Sequence, residues 1–252
     1  MLISYIKRME SSYRDFMGGV SLPQMELQTM SLEEMRAQLA NAEVIYNPTT
    51  NAYTFRVFEQ INHPAIAKDC EYIIFHEFTH ALDISRYGAG NRDKYNQLRG
   101  YLEYHASQVE LMKMLGASTF HQTIEFSLLD KVCDTNGEVT VLEFIEQGMN
   151  ATSELMSKPD FKQNLNLVFH AVGTLYNYLG RISICRMYAT DFDAYSSALE
   201  QKCAGEGLFG SEMWKSIRTL FNGMMTDSLI DLGGMLYYGS LLQLCRSYGI
   251  VG

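Results

Sequence analysis

No two cysteines in this chain are spaced as CxxC, and the five present, at positions 70, 133, 185, 203 and 245, are odd in number. A disulfide framework is therefore not expected, and reduced, mostly buried thiols in a cytosol fit the pattern better. Excess positive charge is missing as well. A formal net charge of -9 argues against nucleic acid or an anionic membrane surface as the main partner. The longest apolar run near the end, Leu232 to Cys245, is too short to span a bilayer and holds several glycines. Met1 to Arg8 lack the apolar core and cleavage site of a signal peptide, so a cytoplasmic location is the expectation. Repeats and low-complexity tracts are absent. What remains is an ordinary globular composition: 252 residues, 47% hydrophobic and 19% charged, enough for a sizeable core.

The stretch that carries chemistry is His76-Glu77-Phe78-Thr79-His80, inside a run that reads as a helix. Each helical residue turns about 100°, so His76 and His80 project from one face, one turn apart. Two imidazoles so placed can hold one zinc ion, and Glu77, offset by one position, can reach a water on it. The helix is expected to start near Asn62-His63-Pro64 and to end at Tyr87-Gly88. Ile66, Ile73, Ile74, Phe75, Phe78, Ala81, Leu82 and Ile84 cover most of its circumference, which predicts burial on more than one side.

Around it, residues 1 to 17 read as an amphipathic helix stopped by Gly18-Gly19. Ser31 and Glu34 form a capping box opening a helix to about Ala40. Val44 to Tyr46 and Tyr53 to Phe58 read as a hairpin that either binds an extended substrate or simply covers the zinc helix. A second long helix is expected from about Tyr95 to Leu115, then helices over 120 to 130, 141 to 157, Phe161 to Tyr188, Asp193 to Cys203, Glu212 to Gly223 and Thr226 to Tyr248. Val132 to Glu143 imitates a calcium loop, but valine stands at the first ligand position. A tight turn and a Thr140/Glu143 capping box explain the same residues without calcium.

A catalytic zinc site needs a third protein ligand. The downstream candidates are Glu103, His105 and Glu110. Glu103 lies 23 residues past His80, room for a loop and a second helix crossing under the first. His105 lies near the stripe Leu98, Leu102, Val109, Met112, and periodicity does not exclude it. Glu103 and His105, about 200° apart on a helix, cannot both point at one ion. The residues alone leave the choice open. Asp83, one turn past His80, is suited either to orient a ligand imidazole or to pair with Arg86 at the helix end. Tyr95 and Tyr101 are oxyanion-donor candidates by proximity only, and His63 and His170 read as structural.

His76-Glu77-Phe78-Thr79-His80 followed by Glu103-Tyr104-His105-Ala106 resembles the gluzincin metallopeptidases. In that group a glutamate with an alanine three residues on, carried by a second helix, completes the metal site. The nearest flavours are the IrrE/ImmA-like metallopeptidases and the catalytic domain of anthrax lethal factor. The latter shares the form His-Glu-Phe-x-His-Ala-x-Asp, matched here through Asp83. The resemblance covers roughly residues 70 to 116, and implies Zn2+ held by His76, His80 and Glu103 with Glu77 as general base. His105 beside the expected glutamate departs from both families.

The expectation is a single predominantly α-helical α+β domain over 1-252. It has a metallopeptidase core at 42-116 and a C-terminal helical bundle at 120-252. The core holds a zincin-like two-helix metal site with a small β-hairpin. Its function would be zinc-dependent hydrolysis of a protein or peptide substrate, with no nucleic-acid or membrane partner. A non-catalytic zinc-binding interaction protein is the alternative, and neither substrate nor oligomeric state is legible.

Overall fold

The structure, a computed structural model, describes residues 2–38, 40–63, 70–135, 137–202 and 204–250. The chain is predominantly α-helical with two small sheets, an α+β protein. Among the described residues no helix is long and apolar enough to cross a membrane. Two compact units are present. The first comprises Met1–Tyr95, Val109–Ile124 and Val132–Glu138; the second, Asn96–Gln108, Glu125–Lys131 and Val139–Gly252.

In the first unit, α1 (Leu2–Phe16) buries Tyr5, Ile6, Met9, Tyr13 and Phe16, the apolar side of an amphipathic helix. Gly18 and Gly19, both at positive φ, end it as expected. Strand β1 (Met25–Met30) was not expected. It precedes α2 (Leu32–Gln38), whose capping box is present: Ser31 N–H donates to Glu34 Oε2 at 2.8 Å and Glu34 N–H to Ser31 Oγ at 3.3 Å. The expected hairpin is β2 (Ala42–Asn47) antiparallel to β3 (Ala52–Phe58), with Val44 opposite Phe55. β1 joins parallel on the other side of β3, giving the order β1-β3-β2. Among the described residues both outer strands are therefore edges.

The stretch carrying His76 to His80 is α3 (Glu71–Asp83), continued by a π-helical turn over Ile84–Gly88. Its expected start at Pro64, and Ile66, lie outside the described residues; Asn62 and His63 belong to a turn. Helix α4 (Arg92–Met114) follows almost at once, capped by Asn91, whose Oδ1 accepts from Lys94 N–H at 3.0 Å.

The second unit holds the middle of α4 together with α5 (Val141–Ser157), α6 (Leu165–Tyr188), α7 (Phe192–Lys202), α8 (Gly205–Phe209), α9 (Ser211–Leu220) and α10 (Asp227–Ser247). Two contacts show how closely α4 is bound to the rest of the unit. The Tyr104 hydroxyl donates to Gly223 O at 2.7 Å and accepts from Gly223 N–H at 2.8 Å. Gly180 of α6 also lets two backbones come so close that a Cβ there would lie 2.1 Å from Tyr104 O.

The helix expected over 120 to 130 is not formed. Ser127 and Asp130 prefer local side-chain bonds, with Ser127 N–H donating to Asp130 Oδ2 at 2.8 Å. Ser127 Oγ and Leu128 N–H donate to Asp191 at 2.6 and 2.9 Å, and Phe126 bridges to Ala189. These bonds hold the segment extended against the end of α6. A two-stranded hairpin, β4 (Lys131–Asp134) and β5 (Gly137–Thr140), comes next; Asn136 of its turn lies outside the described residues.

Candidate metal centre

Packing on three sides accounts for α3. Tyr13 and Phe16 of α1 meet Phe75 and Phe78 edge-on at 5.3–5.6 Å, and Tyr13 Oη donates to Thr79 Oγ1 at 3.1 Å. Phe55 of β3 lies 5.2 Å from Phe78. Lys113 of α4 lies 4.7 Å over the Phe75 ring and 3.2 Å from Glu71 Oε2. Ile74, Phe75 and Phe78 are fully buried, so burial on several sides holds.

His76 and His80 stand on one face, their rings 4.7 Å apart and nearly perpendicular. Their Nδ1 atoms are shielded from solvent. Glu110 Oε2 lies 3.7 Å from His76 Nδ1, too far for a hydrogen bond but close enough for its charge to act on the ring. Contacts along the pair run from Glu71–Lys113 to His76–Glu110, so α3 and α4 run in opposite senses. Glu103 lies seven residues before Glu110 on the unbroken α4, on the same face. His76, His80 and Glu103 each present one ligand-type atom, all within 4.8 Å of one another. Two imidazoles and a carboxylate are the donor set of a three-ligand catalytic zinc site, so the residues fit that ion. Glu110 near His76 Nδ1 fits too, because a negative charge behind the ring raises the basicity of the imidazole toward a metal on Nε2.

Glu77 does something the sequence did not announce. Its Oε2 accepts from Val44 N–H at 2.7 Å. In the β2–β3 ladder Phe58 N–H donates to Asn41 O, and hydrogen-bonded pairs then alternate at Glu43–Arg56, Ile45–Thr54 and Asn47–Ala52. Ala42, Val44 and Tyr46 therefore turn their amides away from β3, toward the outer side of β2. Glu77 sits on that side.

The remaining candidates disperse. His105 stacks on Tyr101, centroids 5.5 Å apart at 19°, on the side of α4 away from Glu103. Tyr95 meets Tyr46 edge-on at 5.1 Å. Asp83 is fully buried while Arg86 is exposed. Burial first, then the Asp83 charge, push the Tyr13 phenol well above its ordinary pKa, which places that carboxylate near Tyr13. The Tyr72 phenol, one turn before His76, is raised in pKa by burial and then by the buried acids Glu110 and Asp134. In the calcium-like stretch, Glu143 Oε2 accepts from Thr140 N–H at 2.7 Å and from Thr140 Oγ1 at 2.8 Å, so the capping box uses that carboxylate. His170, expected to be structural, is exposed in a cavity that Glu103 also lines.

Sequence reasoning weighed Glu110 only as a ligand and missed its place behind His76. Its seven-residue offset from Glu103 was the available signal. The Val44 amide left no signal, since backbone groups are the same at every residue. Comparison with known proteins finds no family model, no curated protein and no solved structure that matches this chain.

Proposed function

We propose that this protein is a zinc-dependent metallopeptidase acting on a peptide bond of a protein or peptide substrate in the cytoplasm. The observation that carries the reading is the grouping of His76, His80 and Glu103, ligand atoms within 4.8 Å, with Glu77 next to His76 in sequence. His76, His80 and Glu103 would hold the ion. Bound there, zinc would supply Lewis acidity, polarising a carbonyl oxygen and acidifying water. Glu77 takes the proton of the attacking water on its carboxylate and passes it to the leaving amine nitrogen.

One observation favours a second reading, a non-catalytic zinc-binding interaction protein. The Glu77–Val44 bond ties α3 to β2 and gives Glu77 a structural task without catalysis. Glu77→Gln separates the two. For a peptidase the variant retains zinc, by metal analysis, and loses about 100- to 10,000-fold in turnover of a quenched fluorescent peptide library. Zinc bound in both proteins with cleavage absent, or equal in both, refutes the peptidase.

A further inference from the structure

Glu103 also faces an open cavity of about 450 Å³ between α4 and α6. The α6 contribution, Asn166, Phe169, His170, Gly173, Thr174 and Asn177, repeats at three- and four-residue steps and so forms one face of that helix. From α4 comes Arg99, one turn before Glu103. Its guanidinium lies 5.1 Å over the Phe169 ring, and among the described residues no carboxylate pairs with it. Gly173 keeps the floor low: even a Cβ there would stop 3.8 Å from the Glu103 side chain.

The charge of this cavity is one-sided once Glu103 is committed to a cation. Arg99 is a fixed positive charge. Helix α6 starts here, capped by Asn164, with no acidic residue in its first turn; the Asp160 carboxylate just before it accepts from Asn164 Nδ2 at 3.0 Å and does not line the cavity. The His170 ring and Asn166 amide add hydrogen-bond donors at the rim. A planar guanidinium, held in place by an aromatic ring, is suited to bind a carboxylate through two parallel hydrogen bonds. A neutral or basic group gains nothing comparable here.

We propose that this cavity is a specificity subsite for a substrate carboxylate, an Asp or Glu side chain or a free chain end, with Arg99 as its anchor. The proposal rests on the metallopeptidase reading and names the substrate class that site prefers. The test uses the zinc-loaded protein and three peptide hydroxamates of equal length. One has glutamate next to the hydroxamate and an amidated end, one has glutamine there and an amidated end, and one has glutamine and a free carboxylate end. Dissociation constants are read by calorimetry. One or both acidic ligands should bind about tenfold tighter than the neutral amide, and which of them does so identifies the source of the carboxylate. Arg99→Gln should erase that advantage without changing the affinity of the neutral amide, and Arg99→Lys should keep part of it. Equal affinity for all three ligands, or an advantage that survives Arg99→Gln, overturns the subsite and leaves the peptidase standing. Failure of all three to bind a protein shown to contain zinc overturns the peptidase reading, and the subsite with it.

Discussion

Two glycines on one face of α6 make opposite predictions for the same substitution. Gly180→Ala puts a Cβ 2.1 Å from the backbone oxygen of Tyr104 and 3.0 Å from Ser107 Cβ. A backbone oxygen in the middle of α4 has no rotamer to escape into, so the helices must move apart. Overpacking of this kind costs about 1–3 kcal/mol, and rigid backbone places it near the upper end. Replacing a mid-helix glycine with alanine returns about 1 kcal/mol of helix propensity. The net loss is about 2 kcal/mol, which for a chain of this size lowers the Tm by roughly 4–8 °C. Gly173→Ala, seven residues earlier, meets nothing closer than 3.8 Å. It keeps the propensity gain and should raise the Tm by roughly 1–4 °C. Urea and thermal unfolding followed by circular dichroism on the two variants gives the answer. A Gly180→Ala protein as stable as the parent would refute the close approach of α4 and α6, and with it the placement of Tyr104.

Two further outcomes are expected. Glu110→Gln should weaken zinc binding about 10- to 100-fold in a chelator competition while leaving the fold intact, because it removes the charge behind His76 Nδ1 and no ligand; unchanged affinity would show that the Glu110 charge does not act on the imidazole. Burial pushes the Tyr104 phenol up to about 12, against hydrogen bonds from its neighbours that lower it. Its neutral form therefore contributes stability that is complete below the ordinary value near 10 and is lost as pH rises from about 10 to 12, on the order of 2–3 kcal/mol. Tyr104→Phe should be less stable at neutral pH, since Gly223 loses its partner, yet show a shallower alkaline loss in urea midpoints; an unchanged alkaline limb would contradict this.

What could be read from residues alone was what local chemistry decides. The Ser31/Glu34 and Thr140/Glu143 boxes, the Gly18-Gly19 stop and the Val44–Phe58 hairpin each depend on neighbours in sequence, and each is present. The spacing of His76 and His80 needed only the helical turn. Where a distant partner decides, the reading failed. β1 is a strand with a parallel ladder on β3, and the apolar/polar alternation of Met25, Glu26, Leu27 and Gln28 was a strand signal too short to carry the assignment by itself. Residues 120 to 130 lose their helix to Asp191, more than sixty positions away. The choice among Glu103, His105 and Glu110 was open for the same reason. It turns on which face of α4 meets α3, and Lys113 at Glu71 and Phe75 shows that face only in three dimensions.

The bond between Glu77 and Val44 has a consequence for how copies of this protein meet one another. An edge strand offers a row of unpaired amides on which a second chain can nucleate a larger sheet. β2 is such an edge, with Ile45 43% exposed. Its middle amide is already taken by the Glu77 carboxylate, and an incoming strand would have to displace a charge-assisted hydrogen bond there. Glu43, paired with Arg56 at 2.7 Å, puts a second charged pair beside the same stretch. The edge is interrupted where a continuous ladder would otherwise form, so Glu77→Gln is also a solubility variant, and its aggregation rate is worth following beside its chemistry.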